Sequence, residues 1–279
     1  MKYIVIPSNK QMIYDLLDKV DGYILGIDNY SVNLPYYFNL EEIIEITKYL
    51  NKNNKEVFIN INKNIHNDEL SELKKILLEL NNFNVKVMYY DISIVNLKKK
   101  LKLTYDLVWA QEHLTTNSHT INFWNTYGAS YTLLSNELTK NEINNIKENT
   151  NSKLMYTVFG YIPIFTSKRH LVDNYLNTFD LKKKSNDFKL HKEGKFYKII
   201  DDKLGTTLYN ASVINAIAVL DDLKIDYAIL NSAFIETTKF YKIIEMLLNN
   251  KKIDTYNMIN EFIESDTAFL FKEAVYKVK

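Results

Sequence analysis

From Lys2 to Leu248 the chain alternates short runs of β-branched and aromatic residues with longer stretches of helical period, and few folds are compatible with that rhythm. Strands are expected at Lys2–Pro7, Gly22–Ile27, Glu56–Asn62, Val85–Asp91, Tyr105–Gln111, Ser130–Ser135, Leu154–Tyr161 and Tyr227–Asn231. Helices are expected at Lys10–Val20, Leu40–Lys52, Asp68–Leu80, Val95–Leu101, Asn117–Tyr127, Lys140–Lys147, Val213–Leu223 and Thr237–Leu248. Asn39 before Leu40, Asn67 before Asp68 and Thr139 three residues before Glu142 are helix-start signals. Strands and helices in strict alternation over about 250 residues predict an α/β fold, the (β/α)8 barrel of TIM type. No Pro-, Gly- or Ser-rich linker divides the 279 residues, so a single domain over 1–279 is expected.

The rhythm breaks twice. Residues 163–211, after the seventh strand, form an insertion with Lys182-Lys183-Lys184 and two short strand-like runs, Phe196–Ile200 and Thr207–Tyr209. An elaborated loop there is expected over the active face of a barrel. Residues 254–279 read as a C-terminal helical extension whose Phe262, Phe269, Leu270 and Phe271 are expected to pack on the core.

Composition removes several classes of chemistry. The chain has no cysteine, which excludes disulfides, thiolate-held zinc, cysteine nucleophiles and an iron–sulfur cluster ligated by its own thiolates. A net charge of +1 provides no global field for nucleic acid or an anionic membrane, so any RNA contact is local. The apolar run Met1–Pro7 is too short for a signal peptide or a membrane span, and a cytoplasmic location is expected. Six glycines and the lack of a Walker loop, Gly-x-Gly-x-x-Gly or Gly-x-Ser-x-Gly argue against dinucleotide, triphosphate and serine-hydrolase chemistry.

In a barrel the site lies at the C-terminal ends of the strands. Those ends carry Asp28, Asn60, Asn62, Asp91, Gln111, His113, Glu137 and, beyond strand seven, Arg169 and His170. Each also has an ordinary role open to it, as a turn or helix cap or a loop tie. His66 and His191 fall in loops expected to face solvent. His113, His119 and His170 have no ligand spacing of the His-x-x-x-His kind, so no metal site is expected.

The densest cluster is Phe159 to His170, which leaves a strand through Gly160 and Pro163 and then presents Tyr161, Lys168, Arg169 and His170. It suits an anion. Lysine and asparagine are abundant, as in a chain from an AT-rich genome, yet one arginine remains, Arg169. A bidentate contact to a carboxylate or phosphate would explain its retention, because lysine cannot supply two parallel hydrogen bonds. A structural clamp on a loop carboxylate would explain it as well.

The chain resembles the peptidase U-32 family, the collagenase-like proteases, from about Lys2 to Ile229. The matching pieces are Val20 to Gly26, Phe38 to Glu42, the strand ending Asn60-Ile61-Asn62, Ala110-Gln111 with Thr116-Asn117, Phe123-Trp124 to Gly128-Ala129, Leu134 to Leu138 with Glu142-Ile143, Gly160 to Arg169, and the region Phe196 to Asn210. Members of that family take part in hydroxylation of RNA bases or quinone precursors, often with an iron–sulfur cluster and sometimes as paired paralogues; others are described as collagenases. This chain departs from the cluster-bearing pattern at His170, where a cysteine follows Ser-Gly-Arg, and at Leu230-Asn231-Ser232, where Glu-Gly-Arg is expected.

The resemblance is strongest to the short Firmicute-type members. It implies a cluster-free subunit that works with a longer cysteine-containing paralogue in forming 5-hydroxyuridine at the tRNA wobble position, with any iron–sulfur cluster on the partner only. Gln111, Glu137 and Arg169 carry over as pocket residues. The expected catalytic group is then Glu137, Gln111 and His113. Arg169, Lys168, His170, Tyr161, Asn60, Asn62 and Asp91 are expected to bind substrate, either a small carboxylate donor or an RNA phosphate. Two alternatives stay open: a peptidase in which Glu137 or Asp91, with His113, activates water, and a non-catalytic binding subunit.

Overall fold

The computed structural model describes residues 1–111, 113–183 and 187–272. Its elements follow the expected alternation: β1 (Lys2–Ile6), α1 (Lys10–Asp15), β2 (Gly22–Ile27), β3 (Tyr37–Phe38), α2 (Leu40–Lys52), β4 (Glu56–Ile61), α3 (Leu70–Leu80), β5 (Lys86–Tyr89), α4 (Ile92–Leu101), β6 (Asp106–Trp109), α5 (Ser118–Thr126), β7 (Tyr131–Leu133), α6 (Lys140–Glu148) and β8 (Lys153–Gly160). Next come β9 (Pro163–Ser167), α7 (Leu171–Thr178), β10 (Phe188–Lys192), β11 (Lys195–Asp202), β12 (Gly205–Tyr209), β13 (Val213–Asn215), β14 (Tyr227–Asn231), α8 (Thr237–Asn249), α9 (Lys252–Asn260) and β15 (Ser265–Asp266).

Strands β1, β2, β4, β5, β6, β7, β8 and β14 pair in parallel in that order, and β14 returns to β1, so the sheet closes into an eight-stranded barrel. Strand parity sorts the core. Ile4, Ile24, Phe58, Met88, Val108, Tyr131, Met155 and Tyr227 fill the barrel interior. Their neighbours Val5, Leu25, Val57, Val87, Leu107, Leu154 and Ala228 face outward and pack under the helices.

Two of the three helix starts are built as the sequence indicates, whereas Asn67 opens a 3-10 turn, Asn67–Glu69, ahead of α3, with the His66 amide donating to Glu69 Oε2 at 2.8 Å. Asn39 Oδ1 accepts from Glu42 N at 2.9 Å while Glu42 returns a carboxylate to Asn39 N at 3.1 Å, and α2 then buries Ile43, Ile46 and Leu50. Thr139 and Glu142 form the same reciprocal cap on α6.

Two segments differ from expectation. The apolar stretch Val213–Leu223 is not an α-helix: Val213–Asn215 pairs antiparallel with the end of β8, and a 3-10 turn covers Ile217–Asp222. Every residue from Val213 to Ile217 is buried, and a run buried on both faces has no period to read. In the C-terminal extension α9 ends at Asn260 and Ser265–Asp266 pairs with β13. Leu270 is buried and Phe262 packs against the core, whereas Phe269 and Phe271 are exposed. Residues 273–279 and Lys184 lie outside the described residues.

The insertion is a lid. Strands β10, β11, β12 and β9 make an antiparallel sheet in that order. Phe188 pairs with Ile199, Ile199 with Leu208 and Leu208 with Phe165, so one face carries an apolar row. Helix α7 sits on that face, its first turn held by Thr206 Oγ1 (2.7 Å from Leu171 N) and by Asp201 Oδ2 (2.8 Å from Val172 N). On the other face Thr166 and Thr207 donate to Asn33 Oδ1 at 3.2 and 2.7 Å, and Lys198 Nζ lies 5.5 Å from the Tyr161 ring centre. That face covers the mouth of the barrel.

Candidate functional site at the barrel mouth

Parity also selects what the mouth contains. Asn60 continues the inward set of Phe58, Asn231 that of Tyr227 and Ile229, and Thr157 that of Met155, so the apolar interior ends in a polar layer. Asn136 Nδ2 donates to Thr157 O at 3.0 Å and Asn231 Nδ2 to Tyr161 O at 3.0 Å. Asn62 exchanges two hydrogen bonds with the backbone of Val32, 2.8 and 3.1 Å, and pins the loop between β2 and β3. Asn60 Oδ1 is buried without a hydrogen-bond partner among the described residues. Such an atom lacks its usual compensation and is suited to a donor from a bound molecule.

Two cavities open from this layer. One, of about 280 Å³, is lined by Asn62, Gln111, His113 and Thr166. The other, of about 60 Å³, brings together His113, Ser135, Asn136 and Glu137 beneath Ile162 and Pro163 of the lid entrance. The expected catalytic trio Gln111, His113 and Glu137 therefore lines adjoining spaces. Thr115 Oγ1 donates to the Gln111 backbone carbonyl at 2.7 Å, fixing the turn that carries Gln111 and His113.

The expected binding residues divide into three groups. Asn60, Asn62 and Tyr161 are at the mouth, where burial pushes the Tyr161 phenol up and its ring meets Phe234 edge-on at 5.7 Å. Asp91 is a structural cap, with its carboxylate accepting from Ser93 N and Ile65 N, both at 2.9 Å. Burial opposes its charge, but those two hydrogen bonds and the nearby Lys168 ammonium hold the carboxyl below its ordinary value. Lys168, Arg169 and His170 leave β9 on the lid. Lys168 Nζ reaches His66 Nε2 at 2.7 Å, so His66 is exposed yet engaged. Arg169 is exposed, has no ion pair among the described residues and is absent from the linings of both mouth cavities. Asp28 pairs with Lys203 of the lid.

His170 belongs to a cluster that sequence spacing does not reveal. Its Nδ1 lies 3.1 Å from Asp201 Oδ1, and with Asp173 these side chains place three potential metal-ligand atoms within 4.8 Å of one another. Asp201 comes from β11, 31 residues away, and the lid sheet supplies the contact. Its carboxylate is already engaged by His170 and by the first amides of α7, whose dipole favours an anion there. Sequence reasoning also missed Asn33, Lys63, Asn136, Lys203 and Asn231 at or near the mouth. The inward parity of strand β14 was a signal for Asn231, which the resemblance marks only as a departure from the family pattern; the others sit on loops or turns.

Comparison with known proteins finds relatives along nearly the whole chain. The chain is 27% identical to tRNA hydroxylation protein P2 of Bacillus subtilis (strain 168), over 98% of each chain. It is 22% identical to tRNA hydroxylation protein P1 of the same organism over 51% of this chain and 34% of that one. A solved structure of a U32 peptidase superposes with a TM-score of 0.46 at 17% identity, covering 57% of this chain and 68% of that one. The family profile of peptidase family U32 spans residues 9–270, from the residue that caps α1 through the lid to Leu270, and this chain belongs to that family.

Proposed function

We propose that the protein is a component of tRNA base hydroxylation, supporting 5-hydroxyuridine formation at the wobble position as the cluster-free member of a pair with a longer, cysteine-containing U32 paralogue. The similarity to tRNA hydroxylation protein P2 along 98% of both chains carries this reading. The pairing is supported by the second, partial similarity to tRNA hydroxylation protein P1. A thiolate-ligated iron–sulfur cluster does not fit this chain, which has no cysteine, and in this proposal such a cluster is held by the partner. The proposed location is the cytoplasm, where tRNA is modified; no helix among the described residues is long and apolar enough to cross a membrane.

In this proposal Gln111, His113 and Glu137 face the reacting group at the mouth. Asn60, Asn62 and Tyr161 shape the space for a small carboxylate donor, and Asp91 acts indirectly by holding the loop at Ile65. Arg169, exposed on the lid, meets an RNA phosphate, flanked by Lys168 and His170. The test is nucleoside mass spectrometry of tRNA from cells with and without the gene, in a strain with no second route to the modified base. Loss of the hydroxylated uridine is expected; an unchanged profile overturns the reading.

A collagenase-like peptidase is the second reading, because His113 and Glu137 line one cavity in which a carboxylate could activate water. Asp91 is not available for that work, with its oxygens already accepting two backbone amides. Hydrolysis of gelatin by protein free of contaminating proteases would favour the peptidase. A purely binding subunit is the third, and would show stable co-purification with the paralogue while every mouth variant kept full tRNA hydroxylation.

A further inference from the structure

A third cavity, of about 340 Å³, adjoins the 280 Å³ mouth cavity, shares Val32, Asn64, Tyr90 and Thr166 with it, and lies between the lid and the loop that follows β4. Three lysines line it from three segments: Lys63 from the barrel loop, Lys168 from the end of β9 and Lys203 from the turn between β11 and β12. His66 also lines it, and no aspartate or glutamate is among the described residues of the lining. The proposed catalytic residues Gln111, His113 and Glu137 are not part of it.

The state of the lysines indicates what the cavity accepts. Lys63 is held from outside by Glu69 and has its ammonium 5.3 Å from the Tyr30 ring centre. Lys203 is held by Asp28. Lys168 differs from both: its partners are neutral, His66 Nε2 at 2.7 Å and Asn64 O at 3.4 Å, and no carboxylate among the described residues lies within ion-pair distance. Asp91 is near enough to feel the Lys168 ammonium but forms no ion pair with it, so this ammonium keeps an attraction for an anion. Lys63 and Lys203 are matched by carboxylates outside the lining, which leaves Lys168 as the lysine of the three without an ion pair.

We propose that this cavity is a phosphate-binding site that clamps the lid onto the barrel. Ammonium groups converging from different directions suit the several oxygens of a tetrahedral phosphate, whereas a flat carboxylate is better matched by the planar fork of an arginine, which this cavity lacks. Lys168 and Lys203 belong to the lid and Lys63 to the barrel, so one bound phosphate bridges both bodies and resists their separation. The phosphate comes either from the terminal group of a nucleotide or from the backbone of an RNA strand. The site does not depend on the chemistry proposed for the mouth.

The test uses the full-length purified protein and follows its melting temperature and calorimetric binding with inorganic phosphate, uridine 5′-monophosphate and the dinucleoside UpU, which carries only a phosphodiester. Phosphate and the mononucleotide are expected to raise the melting temperature above that in sodium chloride or acetate of equal ionic strength. UpU binding as tightly as the mononucleotide assigns the site to an RNA backbone; UpU failing to bind assigns it to a terminal phosphate. Lys168→Ala is expected to weaken binding about tenfold. Lys203→Ala, on the separate lid turn, is the second variant and serves alone if the first does not fold. Equal stabilisation by chloride or acetate, or undiminished phosphate binding in the folded variants, overturns the proposal.

Discussion

Lys86 at the start of β5 and Glu56 at the start of β4 form an ion pair at the closed end of the barrel, where the lysine side chain is 9% exposed and its ammonium lies 5.3 Å from the Phe58 ring centre. Glu56 also pairs with Lys2 of β1. One carboxylate thus joins strands from three positions around the ring, opposite the end where the mouth opens.

Glu56→Gln leaves the buried ammonium without its counter-charge and is expected to lower stability by about 3 kcal/mol, measured by urea unfolding. Burial works against the Glu56 charge, but Lys2 and Lys86 bring its carboxyl below the ordinary value of 4.5. A group depressed in the folded state contributes fully above the unfolded pKa and loses its contribution as pH falls through the folded one. The stability gap between the native chain and Glu56→Gln is therefore expected to be constant from pH 6 to 8 and to shrink below about pH 4.5.

Gly160 ends β8 with φ +125°, and a Cβ there would lie 2.4 Å from the Asn231 carbonyl oxygen. Gly160→Ala is expected to destabilise the fold by about 1–3 kcal/mol, because the clash is with backbone and the backbone conformation is strained. Thermal unfolding of the variant gives the value.

Asn33 holds the lid through Thr166 and Thr207. It sits at φ +66°, so Asn33→Gly removes the acceptor without adding backbone strain. Faster proteolytic cutting within 163–209 is expected, with an unchanged circular dichroism spectrum and a loss of about 1 kcal/mol. Cutting at the native rate would show that other contacts hold the lid.

Arg169→Lys is expected to abolish formation of the hydroxylated uridine in cells while leaving the melting temperature unchanged, since the side chain is exposed and has no ion pair among the described residues. An active lysine variant would end the argument for bidentate phosphate contact.

The barrel was legible because short β-branched and aromatic runs alternate with helical stretches, a rhythm that survives the chain's biased composition. Position at the end of a strand places Asn60 and Asn62 at the mouth. The reading stops at Val213–Asn215, which pairs with β8, a contact no local pattern announces. Phe269 and Phe271 look like core by residue type, yet they flank Leu270, the one of the three that is buried.

The site was legible only where barrel strands end. Lys63, Lys168 and Lys203 share a cavity because the lid folds back over the loop after β4, and their separation in sequence gives no sign of it. Among so many lysines none stands out by type. Asp91 was chosen by position at a strand end, but its helix-capping geometry decides its role.

Strand β14 has β1 on one side and β8 on the other, so the first and seventh strands of the ring have no partner on those edges until residues 227–231 have been made. During synthesis the nascent chain is an open sheet with two unpaired edges, and the lid, encoded at 163–209, emerges before the ring can close. Completion of the barrel is thereby deferred to its last strand, and a chain cut before Tyr227 would retain both adhesive edges.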